Sequence, residues 1–431
     1  MAPRPPADPD PNALVFSVND EAAYRRHFDE FGFVIVGGVL DEACVTATVE
    51  ELWDSPSLLG GHPGICRSVP SSWDSDRWPA GSRNFLDSLD PCSEVQSWQN
   101  RVNPAIARVF EVLWRGRGLP PRVVDDGGQQ EQVRHQDHQE RPHADDEEEE
   151  GRLVVSVDRF GVMRPTKLPG ENGDRPDWRT SRNWLHWDQN PWSNPGFFAM
   201  QGLVALSAAD PSTGGFATVP GFHKEFENWS LTHPEGSIKR VTATTVPFPV
   251  PLDDEMQDRR TKVMVPLGGL LVWDSRMPHE NWPNEGSEWR LVQYITCKRL
   301  SPAGLERRAE AWHAGLRTGL VPVSFAQRFS PAEHALLGMT SAPMTTDQTT
   351  TKSSTPLEKA LEEGAGLSEE CLEAAKKLRR AYRLKQTAIE PGQLKEATDL
   401  FKSAFATNPA LREPLQRVAA AEDSYLPFWI L

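Results

Sequence analysis

The residues best suited to chemistry in this 431-residue chain are two histidines and one aspartate. One residue separates His186 from Asp188, and His279 lies far downstream in a second apolar segment. Side chains at positions i and i+2 of a β-strand point to the same face, so His186 and Asp188 can bind one ion while Trp187 points away. Two imidazoles and one carboxylate, without a thiolate, are the ligand set typical of non-haem Fe(II) sites. The pattern therefore predicts a mononuclear iron centre.

A cation follows the second histidine at a spacing that suits the same chemistry. Arg290 lies eleven positions after His279, in an apolar run from 289 to 296 that we interpret as a strand. A triad on one face of the metal leaves positions open for a 2-oxo acid and for O2. A guanidinium can hold the remote carboxylate of 2-oxoglutarate through two charge-assisted hydrogen bonds. Thr296 shares the face of Arg290 by alternation and is a further candidate for a cosubstrate contact, with a packing role as the alternative.

The composition favours a globular protein with a small-molecule ligand. The hydrophobic fraction of 38% can form a core, and the net charge of −15 argues against a broad nucleic-acid surface. Fifteen tryptophans are present, and several lie close to the metal motifs. Their rings either line an apolar pocket or fill the core. We therefore expect a small organic substrate, partly apolar or aromatic, with a modified nucleobase or a protein side chain as the alternative, while the sequence leaves the oligomeric state open.

The termini and the cysteines favour an intracellular, cytoplasmic protein. No run of eighteen apolar residues predicts a transmembrane helix, and the first residues lack the apolar stretch of a secretory signal. The last residues do not form a peroxisomal address. Five scattered cysteines show no metal-binding spacing, and their odd number suggests free thiols.

The distribution of residue types along the chain predicts one large catalytic domain with additional segments at both ends. Residues 1–13 are Pro- and Asp-rich and are predicted to be disordered. A dioxygenase domain is expected over 14–340, with helices after Asp20 and Asp41, a helix over 104–114, and a disordered acidic insertion at 123–151. Short strands are predicted at 152–160, 183–188, 197–207, 215–219, 261–266, 269–274 and 288–298, and helices over 303–340. Residues 341–355 are predicted to be a linker, and 356–431 a helical C-terminal extension.

Four stretches in this order resemble the phytanoyl-CoA dioxygenase family of Fe(II)/2-oxoglutarate oxygenases. They are the helix and strand at 24–40, the metal strand His186-Trp187-Asp188, the turn at 214–223, and the segment 268–279 with Arg290. The resemblance implies an α+β fold with a double-stranded β-helix core (a cupin-like jelly roll) and flanking helices. It also implies the cofactors Fe(II), 2-oxoglutarate and O2, with ascorbate as a candidate reductant, and release of succinate and CO2.

The resemblance extends to two further positions and departs from the family at one of them. The family often has Ser or Thr two positions after the last histidine, where this chain has Asn281, whose amide can still donate to the cosubstrate. Trp192 occupies a place that can line the pocket in related enzymes. Because Asp188 keeps a carboxylate, hydroxylation or another C–H oxidation is favoured over halogenation.

Three alternatives remain open from the sequence. His223 is a rival metal ligand, although it lies in a turn and has no arginine at the matching distance, so a structural role is favoured. The chain is alternatively a non-catalytic double-stranded β-helix protein that binds a partner, with the C-terminal helices as an interaction module. A cupin-like metalloenzyme that uses no 2-oxoglutarate is the third alternative.

Overall fold

A computed structural model describes most of residues 14–117, 151–341 and 355–412. Within these ranges it leaves out 57, 63, 80–83, 90–93, 170–172, 193–194, 236–247 and 388–390. Residues 1–13, all but the last residue of the disordered insertion predicted at 123–151, nearly all of the predicted linker, and the end of the chain after 412 lie outside the described residues.

The described residues form fourteen strands, most of them short. In chain order they are β1 (Val15–Phe16), β2 (Phe33–Val36), β3 (Leu86–Leu89), β4 (Arg152–Val155), β5 (Phe160–Met163), β6 (His186–Trp187), β7 (Met200–Ala205), β8 (Gly215–Thr218), β9 (Phe248–Pro249), β10 (Thr261–Lys262), β11 (Leu270–Asp274), β12 (His279–Trp282), β13 (Arg290–Tyr294) and β14 (Cys297–Leu300).

These strands form two main sheets around a shared hydrophobic cluster. The major sheet has the order β1-β2-β11-β7-β13-β5-β3, and the minor sheet has the order β10-β8-β12-β6-β9. Strands β4 and β14 form a separate pair. Strands distant in sequence are neighbours in both sheets, as in a jelly roll. The predicted double-stranded β-helix with flanking helices is therefore confirmed.

Strand β2 shows how alternation divides the core into two layers. Phe33 and Ile35 belong to the cluster between the sheets, and Val34 and Val36 belong to the cluster under the helices. All four side chains are completely buried. A strand that is covered on both faces has a continuous apolar sequence, because the side chains on both of its faces are buried.

The described residues form twelve α-helices, and those whose buried residues share a cluster with Val34 and Val36 cover the outer face of the major sheet. The twelve helices are α1 (Glu21–Phe31), α2 (Glu42–Asp54), α3 (Val95–Arg101), α4 (Pro104–Trp114), α5 (Phe226–Thr232), α6 (Met256–Arg259), α7 (Pro302–Arg317), α8 (Val323–Ala326), α9 (Pro331–Leu337), α10 (Pro356–Ala365), α11 (Glu369–Thr387) and α12 (Pro391–Thr407). The helix predicted at 104–114 is confirmed, and the helical stretch predicted at 303–340 consists of α7, α8 and α9.

The two predicted helix caps differ in outcome. The side chain of Asp41 accepts a hydrogen bond from the backbone N–H of Cys44 at 2.7 Å, which satisfies a free donor of the first turn of α2. Asp20 precedes α1, but its side chain does not cap that helix. Its carboxylate instead accepts from the backbone N–H of Ser17 at 3.2 Å, so it stabilises the turn before the helix.

Several predicted strands are shorter or divided in the structure, and the run at 261–266 forms only β10. The prediction over 183–188 was wrong before His186, since Asn183 has a φ of 63° that interrupts an extended strand. The run at 288–298 divides into β13 and β14, and the hydroxyl of Thr296 at the break accepts from the backbone N–H of Gly202 at 3.0 Å. The run at 152–160 divides into β4 and the start of β5, which belong to different sheets.

The C-terminal helices pack on one another and on the main body. Helix α10 contacts α7, and α11 packs along α12. Ala375 and Leu378 are buried in this packing. Leu372 on the same helix is 37% exposed. Within the described part of the chain, no helix is long and apolar enough to span a bilayer.

Candidate metal centre

The two histidines of the predicted triad face each other across paired strands. His186 begins β6 and His279 begins β12, and the two residues are direct partners in the antiparallel register. Their ring centroids are 4.6 Å apart. Asp188 lies one residue beyond β6, and ligand atoms of all three residues lie within 4.8 Å of one another. The structure therefore brings the three predicted ligands together at a distance that one ion can bridge.

Backbone carbonyls orient both imidazoles. The Nδ1 atom of His186 lies 2.9 Å from the carbonyl oxygen of Trp184, and Nδ1 of His279 lies 3.1 Å from that of Met277. A carbonyl only accepts, so each Nδ1 must carry the proton and donate it. Each Nε2 is then left with a lone pair. This is the usual arrangement behind a metal-binding histidine, where the outer hydrogen bond fixes the tautomer and the ring plane.

Gln201 on β7 holds the carboxylate of Asp188. Its Nε2 donates to Asp188 Oδ2 at 2.7 Å. The indole N–H of Trp273 donates to Gln201 Oε1 at 3.0 Å, so the amide is held with its NH2 group toward the carboxylate. The oxygens Oδ1 and Oδ2 of Asp188 lie 3.6 Å from the Nε2 atoms of His186 and His279, respectively. Sequence patterns gave no signal for Gln201, because only strand pairing places it beside the triad.

The environment keeps Asp188 ionised. Burial raises its pKa, but the hydrogen bond and charge of His279, then His186 and Gln201, outweigh burial and hold the pKa well below its usual range. The side chain is still 38% exposed, whereas both histidines are buried. An ionised carboxylate beside two imidazoles is a ligand set that suits a divalent cation.

Aromatic rings form the walls around the triad. Trp184 stacks on His186 with centroids 4.9 Å apart and an interplanar angle of 13°. Phe216 of β8 stacks on His279 at 5.7 Å and 19°. Such contacts restrict imidazole rotation and exclude water from one side of each ligand. Trp187 faces away, as alternation predicts, and packs against Trp229 of α5 at 4.6 Å.

Arg290 is buried in the same interior without a carboxylate partner among the described residues. It is 5% exposed, and its Nη1 atom makes no hydrogen bond within the described part of the chain. Burial lowers the pKa of Arg290 to about 10, so the side chain stays charged at neutral pH. Burying a charged group without a partner is costly, which makes this guanidinium a candidate anion-binding group.

The Arg290 side chain lines a narrow cavity that reaches the wall of the triad. Phe216 lines this cavity and also stacks on His279. Gly214, Gly215 and Ser207 form other parts of the lining. Phe216 is thus the residue that the Arg290 cavity shares with the surroundings of the triad, although Arg290 and the two histidines lie on different sheets.

The remaining predicted residues lie at varied positions. Asn281 is a register partner of Phe216 and follows His279 on the same strand face. Trp192 donates its indole N–H to the carbonyl of His233 at 2.6 Å and packs near Phe248. Thr296 bonds the backbone of β7, as described above. The contacts of Trp192 and Thr296 are those of structural residues, and their cosubstrate roles stay predictions.

His223, the rival ligand, lies outside the group that gathers around Asp188. Its Nε2 atom lies 3.2 Å from the carbonyl oxygen of Asp29 near the end of α1. Burial lowers the pKa of His223, which favours the neutral ring. Its contacts join the turn after β8 to α1, which agrees with the structural interpretation.

The chain is similar to a curated protein and to several solved structures. No family model matches the chain. A protein from Dictyostelium discoideum named putative phytanoyl-CoA dioxygenase is 22% identical over 302 residues, which cover 62% of this chain and 72% of that protein. The epimerase SnoN in complex with Fe3+, alpha ketoglutarate and nogalamycin RO is 16% identical, with a TM-score of 0.38. The match covers 65% of this chain and 83% of the SnoN chain. A putative oxidoreductase from Salmonella typhimurium LT2 is 15% identical, with a TM-score of 0.48. The match covers 77% of this chain and 87% of the Salmonella chain. The match to the Dictyostelium protein confirms that the chain is similar to the phytanoyl-CoA dioxygenase family.

Proposed function

We propose that this protein is an Fe(II)- and 2-oxoglutarate-dependent dioxygenase that oxidises a C–H bond of an organic substrate. One observation carries the proposal. A single interior contains three metal-ligating side chains gathered within 4.8 Å and a buried guanidinium whose Nη1 lacks a hydrogen bond among the described residues. A dicarboxylate that chelates the metal at one end supplies the missing partner at the other.

Each residue has a definite task in this proposal. His186, Asp188 and His279 hold Fe(II), and Arg290 binds the remote carboxylate of 2-oxoglutarate. When bound, the metal and 2-oxoglutarate supply the activation of O2 that oxidises the substrate, with release of succinate and CO2. The protein positions these groups and excludes water, with Phe216 forming the wall that the triad shares with the Arg290 cavity.

The geometry favours this function over the two alternatives. A protein that only binds a partner has no use for a carboxylate held ionised between two oriented imidazoles. A metalloenzyme without 2-oxoglutarate has no use for a buried arginine that lacks a carboxylate partner among the described residues. The substrate we expect is a small organic molecule, because a net charge of −15 opposes binding of a nucleic-acid backbone.

Succinate formation tests the proposal. The protein is incubated aerobically with Fe(II), 13C-labelled 2-oxoglutarate and a small-molecule fraction of a cell extract, and the products are followed by NMR. We expect succinate that requires Fe(II) and is lost in the Asp188→Asn and Arg290→Gln variants. Succinate formed equally by both variants would show that other residues carry the reaction, and its absence under all conditions would contradict the proposal.

A further inference from the structure

A buried ion pair lies behind the metal-ligating face of the minor sheet. Glu280 follows His279 on β12, so its side chain points to the opposite face of the sheet. Its carboxylate Oε1 lies 3.3 Å from Nε of Arg260, and the side chains are 1% and 14% exposed, respectively. Burial of both charges costs desolvation free energy, so the pair is weak evidence for stability and its other contacts matter.

Arg260 also anchors the turn that precedes the metal strand. Its Nη2 donates to Oδ1 of Asn183 at 2.8 Å. Asn183 has a φ of 63°, the left-handed region that residues other than glycine rarely adopt. The guanidinium therefore joins Glu280 to a conformationally restricted turn, three residues before His186.

The second oxygen of Glu280 holds the next residue of that turn. Its Oε2 accepts the backbone N–H of Trp184 at 2.9 Å. Trp184 in turn contacts His186 twice. Its carbonyl accepts from Nδ1 of the imidazole at 2.9 Å, and its ring stacks on the imidazole at 4.9 Å. The backbone and the ring of one residue thus restrict both the tilt and the rotation of a metal ligand.

We propose that Glu280 is a positioning residue for the metal centre, acting on His186 through Trp184 with Arg260 as its counter-ion. The inference rests on the proposed function in that it takes His186 as a metal ligand. Without the Glu280 carboxylate, the Trp184 backbone loses its anchor on the minor sheet, and His186 gains orientations that point Nε2 away from the ion. Partners of this kind typically change metal affinity by about 10- to 100-fold.

Binding of Co(II) alone to the metal-free protein tests the proposal without any turnover. Calorimetry gives the affinity, and the visible ligand-field spectrum of bound Co(II) reports the coordination geometry. Glu280→Ala leaves the charge of Arg260 buried and weakens the fold. The double variant Arg260→Met/Glu280→Met removes both charges and substitutes apolar side chains of similar length. It should therefore stay folded, so that its Co(II) affinity can be measured. Glu280→Gln retains an oxygen that accepts from Trp184.

Glu51 provides a matched control on another part of the fold. Its carboxylate accepts the backbone N–H groups of Gln96 and Ser97, each at 2.9 Å, where α3 begins. Glu51→Gln therefore disturbs a partly buried carboxylate that caps backbone donors, but it does so away from the triad. This variant should lower the thermal midpoint and leave Co(II) affinity unchanged.

We expect the double methionine variant to bind Co(II) about 10- to 100-fold more weakly with an altered spectrum, and Glu280→Gln to recover most of the affinity. A folded double variant with wild-type affinity and spectrum, while His186→Ala abolishes binding, would overturn the positioning role alone. A wild-type protein that binds no Co(II) would instead contradict the metal centre itself. An equal loss of affinity in Glu51→Gln would show that general destabilisation explains the effect.

Discussion

His186 and His279 are direct register partners on adjacent antiparallel strands, with ring centroids 4.6 Å apart. The distance between two metal ligands is therefore set by β-sheet pairing and not by a loop. Pairing of this kind is sensitive to register, because a shift by one residue turns a side chain to the opposite face. Ligands placed on strands are held more firmly than ligands placed on loops.

Neutralising Asp188 should abolish metal binding while preserving the fold. Asp188→Asn keeps the size of the side chain and an oxygen that accepts from Gln201, but it removes the negative charge between the imidazoles. We expect Fe(II) or Co(II) affinity to fall by at least about 100-fold, since a divalent ion then meets three neutral ligands. Calorimetry measures the affinity, and circular dichroism checks the fold. Unchanged affinity would remove Asp188 from the ligand set.

Replacing Arg290 should stabilise the ligand-free protein and remove its response to 2-oxoglutarate. Its Nη1 has no hydrogen bond among the described residues, so Arg290→Met removes a buried charge and costs few contacts. We expect the free energy of unfolding to rise by about 1–3 kcal/mol. In the wild type, 2-oxoglutarate with Fe(II) should raise the thermal midpoint, and in the variant this shift should vanish.

Arg308 is the matched control for that experiment. It is also buried, but it donates to the carbonyl oxygens of Leu337 at 2.8 Å and of Val155. Arg308→Met therefore removes hydrogen bonds to two buried carbonyls, of which that of Leu337 still accepts from the indole N–H of Trp312. We expect the variant to be destabilised by about 1–3 kcal/mol while the response to 2-oxoglutarate persists. The opposite pattern, with Arg290→Met destabilising and Arg308→Met neutral, would contradict an anion-binding role for Arg290.

Local sequence rules predicted much of the site, since they depend on alternation and spacing. The i, i+2 pair and Arg290 lie in or beside strands, where side-chain direction follows from position. The support around the triad was not predictable, because Gln201 and Glu280 reach it only through the register of β7 and β12. Asn183 is likewise included in the strand predicted at 183–188, whereas the structure gives it a left-handed conformation and a hydrogen bond from Arg260.

Gly32 should resist substitution far more strongly than Gly38. Both glycines have positive φ, 76° and 65°, respectively. A Cβ at Gly32 would lie 2.4 Å from Sδ of Met277 and 2.5 Å from Nδ1 of His223, whereas a Cβ at Gly38 meets no atom within 4 Å. We expect Gly38→Ala to cost about 1 kcal/mol of strain and Gly32→Ala at least about 3 kcal/mol in urea unfolding.

The metal response should distinguish the same two glycine variants. The carbonyl of Met277 orients His279, so displacement of Met277 by Gly32→Ala should also weaken Co(II) binding. Gly38→Ala should bind Co(II) as the wild type does. Equal stability and equal metal affinity in the two variants would contradict the packing described around Met277.

Burial of His313 should make the protein less stable in mild acid. Burial lowers the pKa of His313, and its Nε2 lies 2.9 Å from the carbonyl oxygen of Met339. Because the pKa is lower in the folded state, its stabilising contribution is present above about pH 6.5. That contribution is lost as the pH falls toward the folded-state pKa, with a slope of at most about 1.4 kcal/mol per pH unit.

His313→Gln tests this pH dependence because an amide donates to the same carbonyl without titrating. Urea midpoints between about pH 7.5 and 5 should fall less steeply in the variant than in the wild type. Some slope should remain, because burial also lowers the pKa of His27. An unchanged slope would show that His313 is not protonated differently in the folded and unfolded states.

Anaerobic titration of the metal-free protein with Fe(II) and 2-oxoglutarate tests the central claim most directly. The triad and Arg290 predict one Fe(II) per chain and a weak visible charge-transfer band on addition of 2-oxoglutarate. The band should be absent in His186→Ala and should require far more 2-oxoglutarate in Arg290→Met. A wild-type protein that shows no band, or variants that show the wild-type band at the same concentrations, would contradict the account.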